Sequence, residues 1–79
     1  MEMMKLARIE QELDIALRIL KLLGTSHGER FEAELYEWLA DNDGLNEAEW
    51  KRAAAYFAGW LASTNTCSVV VENLLELSK

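Results

Sequence analysis

Leu6-Ala7-Arg8-Ile9-Glu10-Gln11-Glu12-Leu13-Asp14-Ile15-Ala16-Leu17-Arg18-Ile19-Leu20-Lys21-Leu22-Leu23 decides the class of fold. Leu6, Ile9, Leu13, Ala16, Leu20 and Leu23 recur at alternating intervals of three and four, which lines one side of an α-helix with apolar groups. The spacing predicts a first helix over residues 2–23. In its second half Ile15, Ile19 and Leu22 add apolar groups on the opposite side, leaving Asp14, Arg18 and Lys21 as a narrow polar stripe. A helix that is apolar on two sides calls for burial on both. Ile15, Ile19 and Leu22 are therefore a candidate interface for a second copy or a partner, should the rest of the chain leave them open. Gly24 supplies the left-handed residue that commonly follows a helix end.

Working outward, the breaks fall at 24–28, 41–44 and 63–66, which divides the chain into four helical segments. Ser26-His27-Gly28-Glu29 has the form of a capping box, and Phe31, Leu35, Trp38 and Leu39 follow as one apolar stripe flanked by Glu34, Glu37 and Asp41. Asn46 with Glu49 repeats the capping logic and opens a third helix running to about Ser63. Its core stripe is Trp50, Ala53, Ala54, Phe57, Trp60 and Leu61, and Glu47 can pair with Lys51 at i,i+4. Ala55, Gly59 and Ala62 on its reverse side are small enough for another helix to approach closely. The last segment, about 66–77, contains Val69-Val70-Val71, which alone would favour a strand. Helix is still expected, because Cys67, Val70, Val71, Leu74 and Leu77 share a helical face and no second strand exists to pair with it. The expectation is an all-α, compact bundle of four helices forming a single domain over 1–79.

At 79 residues the chain holds one domain. A core this small supplies about 3 to 5 kcal/mol, and Cys67 alone cannot form an internal disulfide, so dimerisation is an open route to extra stability. Neither a secretory signal nor an apolar span is apparent, and the lone thiol fits a reducing compartment, so a soluble cytoplasmic protein is expected. The formal charge of −6 and pI near 4.6 argue against direct binding of nucleic acid, which relies on clustered Lys and Arg. From Glu29 to Glu49 eight carboxylates face the single cation Arg30, so this middle portion carries essentially all the net charge.

No constellation for catalysis emerges. His27 is the only histidine, and zinc needs three or four ligands, which His27 and a distant Cys67 do not provide. A Cys67–His27 nucleophilic pair is weaker than the alternative that the thiol packs as a small hydrophobe. Asp41-Asn42-Asp43-Gly44 resembles a calcium loop, but with Gly44 in the glycine position the first ligand falls on Leu39 and the terminal glutamate on Trp50. No cofactor and no metal are expected.

Glu34, Glu37, Asp41, Asp43 and Glu47 are the candidate contact residues for a partner protein with a basic surface. Such a chain would inhibit or occlude a nucleic-acid-binding surface of a larger protein. Small acidic inhibitors encoded by phages, anti-CRISPR proteins among them, act on this principle, and size and charge are what this chain shares with them. The alternative is a structural or assembly subunit that homodimerises or docks through the apolar first helix.

Overall fold

The computed structural model describes residues 2–24, 26–41, 44–64 and 68–79, with side chains from Leu6 onward. Four α-helices follow one another: α1 (Glu2–Leu22), α2 (Ser26–Ala40), α3 (Glu47–Ser63) and α4 (Ser68–Leu77). No strand occurs among the described residues, and the helices form a compact all-α bundle. The thinnest dimension is 17 Å, which fits two layers of helices, since packed axes lie about 8–10 Å apart.

α1 is the hub, packing against each of the other three helices, and α3 and α4 form the most extensive pair. The predicted seam explains the hub: Ile9, Leu13, Ala16 and Leu20 are buried and Leu6 is half-buried. Each fully buried Leu, Ile or Phe contributes about 1.5–3 kcal/mol. The seam stops one turn early, because Leu23 lies past the end of α1 and is 61% exposed. Gly24 takes the expected left-handed conformation, φ 64°, and its N–H donates to the Lys21 carbonyl at 3.0 Å, closing the helix end.

The α1–α2 crossing depends on Gly28. A Cβ there would stand 3.1 Å from the Leu20 carbonyl carbon, so only glycine lets the two backbones approach this closely. α2 already includes Ser26, so the serine expected as its cap is instead its first residue. Phe31 is the one large side chain that α2 buries completely, while Leu35, Trp38 and Leu39 are half-buried.

α3 begins as the sequence implies. The Asn46 side chain accepts from the Glu49 N–H at 2.9 Å, and the Glu49 carboxylate accepts from the Asn46 N–H at 3.3 Å. Leu45 and Trp50, at the staple positions on either side of this box, are both buried. Ala53, Ala54 and Ala58 are fully buried beside Phe57 and Leu61. The small-residue face of Ala55, Gly59 and Ala62 is a correction: all three are exposed, and a Cβ at Gly59 would meet nothing within 4 Å. The reason is area, since Phe57, Trp50 and Leu61 offer far more apolar surface on the other side. Val70, Val71, Leu74 and Leu77 bury one face of α4, so tertiary packing overrides the β-preference of the valine run. Cys67 lies outside the described residues.

Candidate protein-binding surface

The junction of α2 and α3 is a ladder of aromatic rings. His27 meets Trp60 edge-on at 5.9 Å, and Phe31 stacks on Trp60 at 5.8 Å and packs at a tilt against Phe57 at 4.3 Å. Tyr56 contacts Phe57 at 5.2 Å and Trp38 at 6.4 Å, which carries the ladder toward the C-terminal end of α2. His27 thus packs against an indole as part of this ladder. No group of three or more potential metal ligands occurs among the described residues.

Beyond Phe57 the two helices bound a groove of about 440 Å³. α2 and the residue after it contribute Glu34, Glu37, Trp38 and Asp41, and α3 contributes Glu49, Arg52 and Tyr56. Both sets recur at intervals of three and four, so each helix turns one face to the groove. Four carboxylates and the Arg52 guanidinium therefore line the groove together with the two rings. Of the sequence-derived contact residues, the structure brings together Glu34, Glu37 and Asp41. Glu47 lies apart, paired with Lys51 at 3.5 Å and lining a different depression beside Asn46. Asp43 lies outside the described residues.

The carboxylates are not equivalent. Glu34 accepts a hydrogen bond from the Tyr56 hydroxyl and sits 3.4 Å from Arg30 Nε. That hydrogen bond, helped by desolvation and by the Glu34 charge and opposed by Arg30, raises the Tyr56 phenol above its ordinary 10.0. Arg30 also stands over the Trp60 ring at 5.8 Å, so one guanidinium engages an indole face and a carboxylate together. Glu49 caps α3. Glu37 and Asp41 are exposed in the last turn of α2 and just beyond it, where the helix carries no basic residue. Carboxylates there add to the negative end of the helix dipole.

The candidate apolar interface on α1 divides. Ile15 and Ile19 are half-buried against the core, whereas Leu22 is 87% exposed next to the exposed Leu23. Lys21, on the polar stripe between them, forms an ion pair with Glu32 that ties α1 to α2, and the bond to this carboxylate raises the Lys21 pKa above 10.5.

Sequence periodicity alone missed Trp38, Tyr56, Glu49 and Arg52 as groove residues. Trp38 matched a core stripe and Glu49 a cap. The Glu49, Arg52 and Tyr56 spacing is the signal that could have placed them on one face. No family model, curated protein or solved structure matches the chain. Among the described residues no helix is long and apolar enough to cross a membrane.

Proposed function

We propose that this chain is a non-enzymatic protein that binds a protein partner, presenting the acidic α2–α3 groove to a basic surface and occluding it. A surface that binds nucleic acid is the kind of target that fits, because it displays the Lys and Arg that four clustered carboxylates would attract. This is the mode of action of small acidic phage inhibitors, and the chain is proposed to act in that manner. The observation that carries the proposal is the convergence of Glu34, Glu37, Asp41 and Glu49 beside exposed aromatic surface, with Arg52 the one cation among the described lining residues and Arg30 paired to Glu34, which leaves Glu37 and Asp41 facing the groove.

The test is comparative affinity purification from the native host. Glu37→Lys with Asp41→Lys is the clean reversal, because Glu34 and Glu49 also hold local structure. Glu10→Lys with Glu72→Lys, at exposed sites on α1 and α4, makes the same change in net charge away from the groove. A partner retained by wild type and by the control pair but lost by the groove pair is the expected result. Retention by all three would overturn the proposal.

A second reading is supported by Leu22 and Leu23, whose exposure at the end of α1 suits a homodimer or an assembly subunit. Apolar association persists as salt rises, whereas charge-driven contact weakens. Sedimentation of the pure protein at low and high salt separates them: a salt-resistant dimer that dissociates in Leu22→Lys would favour the apolar interface.

A further inference from the structure

We infer that the α2–α3 groove receives an arginine side chain of the partner, its guanidinium lying against the Trp38 and Tyr56 rings and pairing with Glu37 and with Asp41 just past the end of α2. This rests on the acidic-groove reading above and assigns its chemistry. Four observations carry it.

First, α2 ends without a basic residue in its last turn, and carboxylates stand where a cation would normally offset the carbonyl end of the helix. The arrangement disfavours the isolated helix and leaves a negative potential for a cation to fill from outside. Second, that potential falls beside aromatic faces, Tyr56 being 47% exposed and its ring 6.4 Å from that of Trp38. A cation placed on such rings gains the quadrupole attraction as well as the carboxylates.

Third, the molecule already contains this chemistry further along the same ladder. Arg30 lies 5.8 Å from the Trp60 centroid with its Nε 3.4 Å from Glu34. The groove offers the same parts, an indole and flanking carboxylates, from Trp38, Glu37 and Asp41. Arginine rather than lysine is indicated, because a planar and weakly hydrated guanidinium stacks on a ring and engages a carboxylate through two N–H groups at once. Fourth, the groove's volume of about 440 Å³ is ample for one arginine side chain. Arg52 at the rim is the opposing charge, and its removal should strengthen binding.

The test is a titration of the intact protein with three short peptides, in which glycine alternates with arginine, lysine or citrulline. Citrulline keeps the shape of arginine without its charge. NMR resonances of the Trp38 indole and Tyr56 ring should move with the arginine peptide while those of the buried Trp50 stay in place. Affinity should fall in the order arginine, lysine, citrulline. Trp38→Leu and Tyr56→Leu should each weaken arginine binding roughly two- to fivefold, the effect of an exposed cation–ring contact, and Arg52→Ala should tighten it. Trp38 is only half-buried, and the wild-type resonance shifts stand whether or not a variant folds. Absence of arginine-peptide binding, equal affinity for lysine and arginine, or binding that leaves Trp38 and Tyr56 unmoved would each overturn the inference. The acidic-groove reading would survive those results, since it falls only if the native partner ignores reversal of Glu37 and Asp41.

Discussion

Alanine at Gly59 and alanine at Gly28 should shift stability in opposite directions. Inside a helix alanine is favoured over glycine by about 0.8–1.0 kcal/mol. At Gly59 the new methyl meets no atom within 4 Å, so Gly59→Ala should realise most of that gain and raise the Tm by about 4–8 °C. At Gly28 the methyl would stand 3.1 Å from the Leu20 carbonyl carbon and 3.2 Å from the Leu20 oxygen and Lys21 nitrogen. Carbon atoms prefer about 3.5–4.0 Å, and the obstacle is backbone, which cannot rotate aside. α1 and α2 must then separate by a few tenths of an ångström along their contact. Overpacking of this kind costs about 1–3 kcal/mol, and the propensity gain is reduced because Gly28 is only the third residue of α2. With a cost near the middle of that range, Gly28→Ala should melt about 4 °C or more below wild type. Thermal unfolding followed by circular dichroism on both variants reads the difference. A Gly28→Ala protein as stable as wild type would refute the close crossing, and a destabilised Gly59→Ala would refute the open face of α3.

Other outcomes follow from the packing and the ion pairs. Phe31→Ala removes the only large side chain that α2 buries fully, against Phe57 at 4.3 Å. The loss of about 3–5 kcal/mol matches the whole stability of about 3–5 kcal/mol expected of so small a core, so a urea titration should show no folded plateau, and a near-native midpoint would contradict the ladder. Lys21 and Tyr56 both have raised pKa values in the folded protein, from pairing with Glu32 and Glu34. Their contribution is complete below the ordinary values of 10.5 and 10.0 and is lost as pH rises through the raised ones. Denaturation midpoints across alkaline pH should therefore decline, and the decline should be shallower in Lys21→Met and Tyr56→Phe; parallel curves in variant and wild type would refute these pairs.

Local signals fixed the helices well because each is self-contained. The seam Ile9, Leu13, Ala16 and Leu20 and the Asn46–Glu49 cap act within a few residues and need no knowledge of neighbours. Even the valine run resolved correctly, since Val70, Leu74 and Leu77 had a helical face to bury. What depends on helix pairing was not legible. Gly28 sat in a capping pattern, and nothing local says that α1 crosses there. Ala55, Gly59 and Ala62 looked like a packing face because small residues permit close approach, but permission creates no apolar area to bury. The acidic flank of α2 was visible from Glu34, Glu37 and Asp41. Its completion by Glu49, Arg52 and Tyr56 required knowing that side chains of α2 and α3 meet there.

We propose that Glu37 and Asp41 draw in a basic partner. Equilibrium titration of the recovered partner at rising salt, with wild type and with Glu37→Lys/Asp41→Lys, addresses it directly. Wild type should lose affinity steadily with salt, while the reversed protein should bind at least about tenfold more weakly at low salt and respond less to added ions. Equal affinities with parallel salt curves, in variants of matching helicity, would show that Glu37 and Asp41 do not recruit the partner.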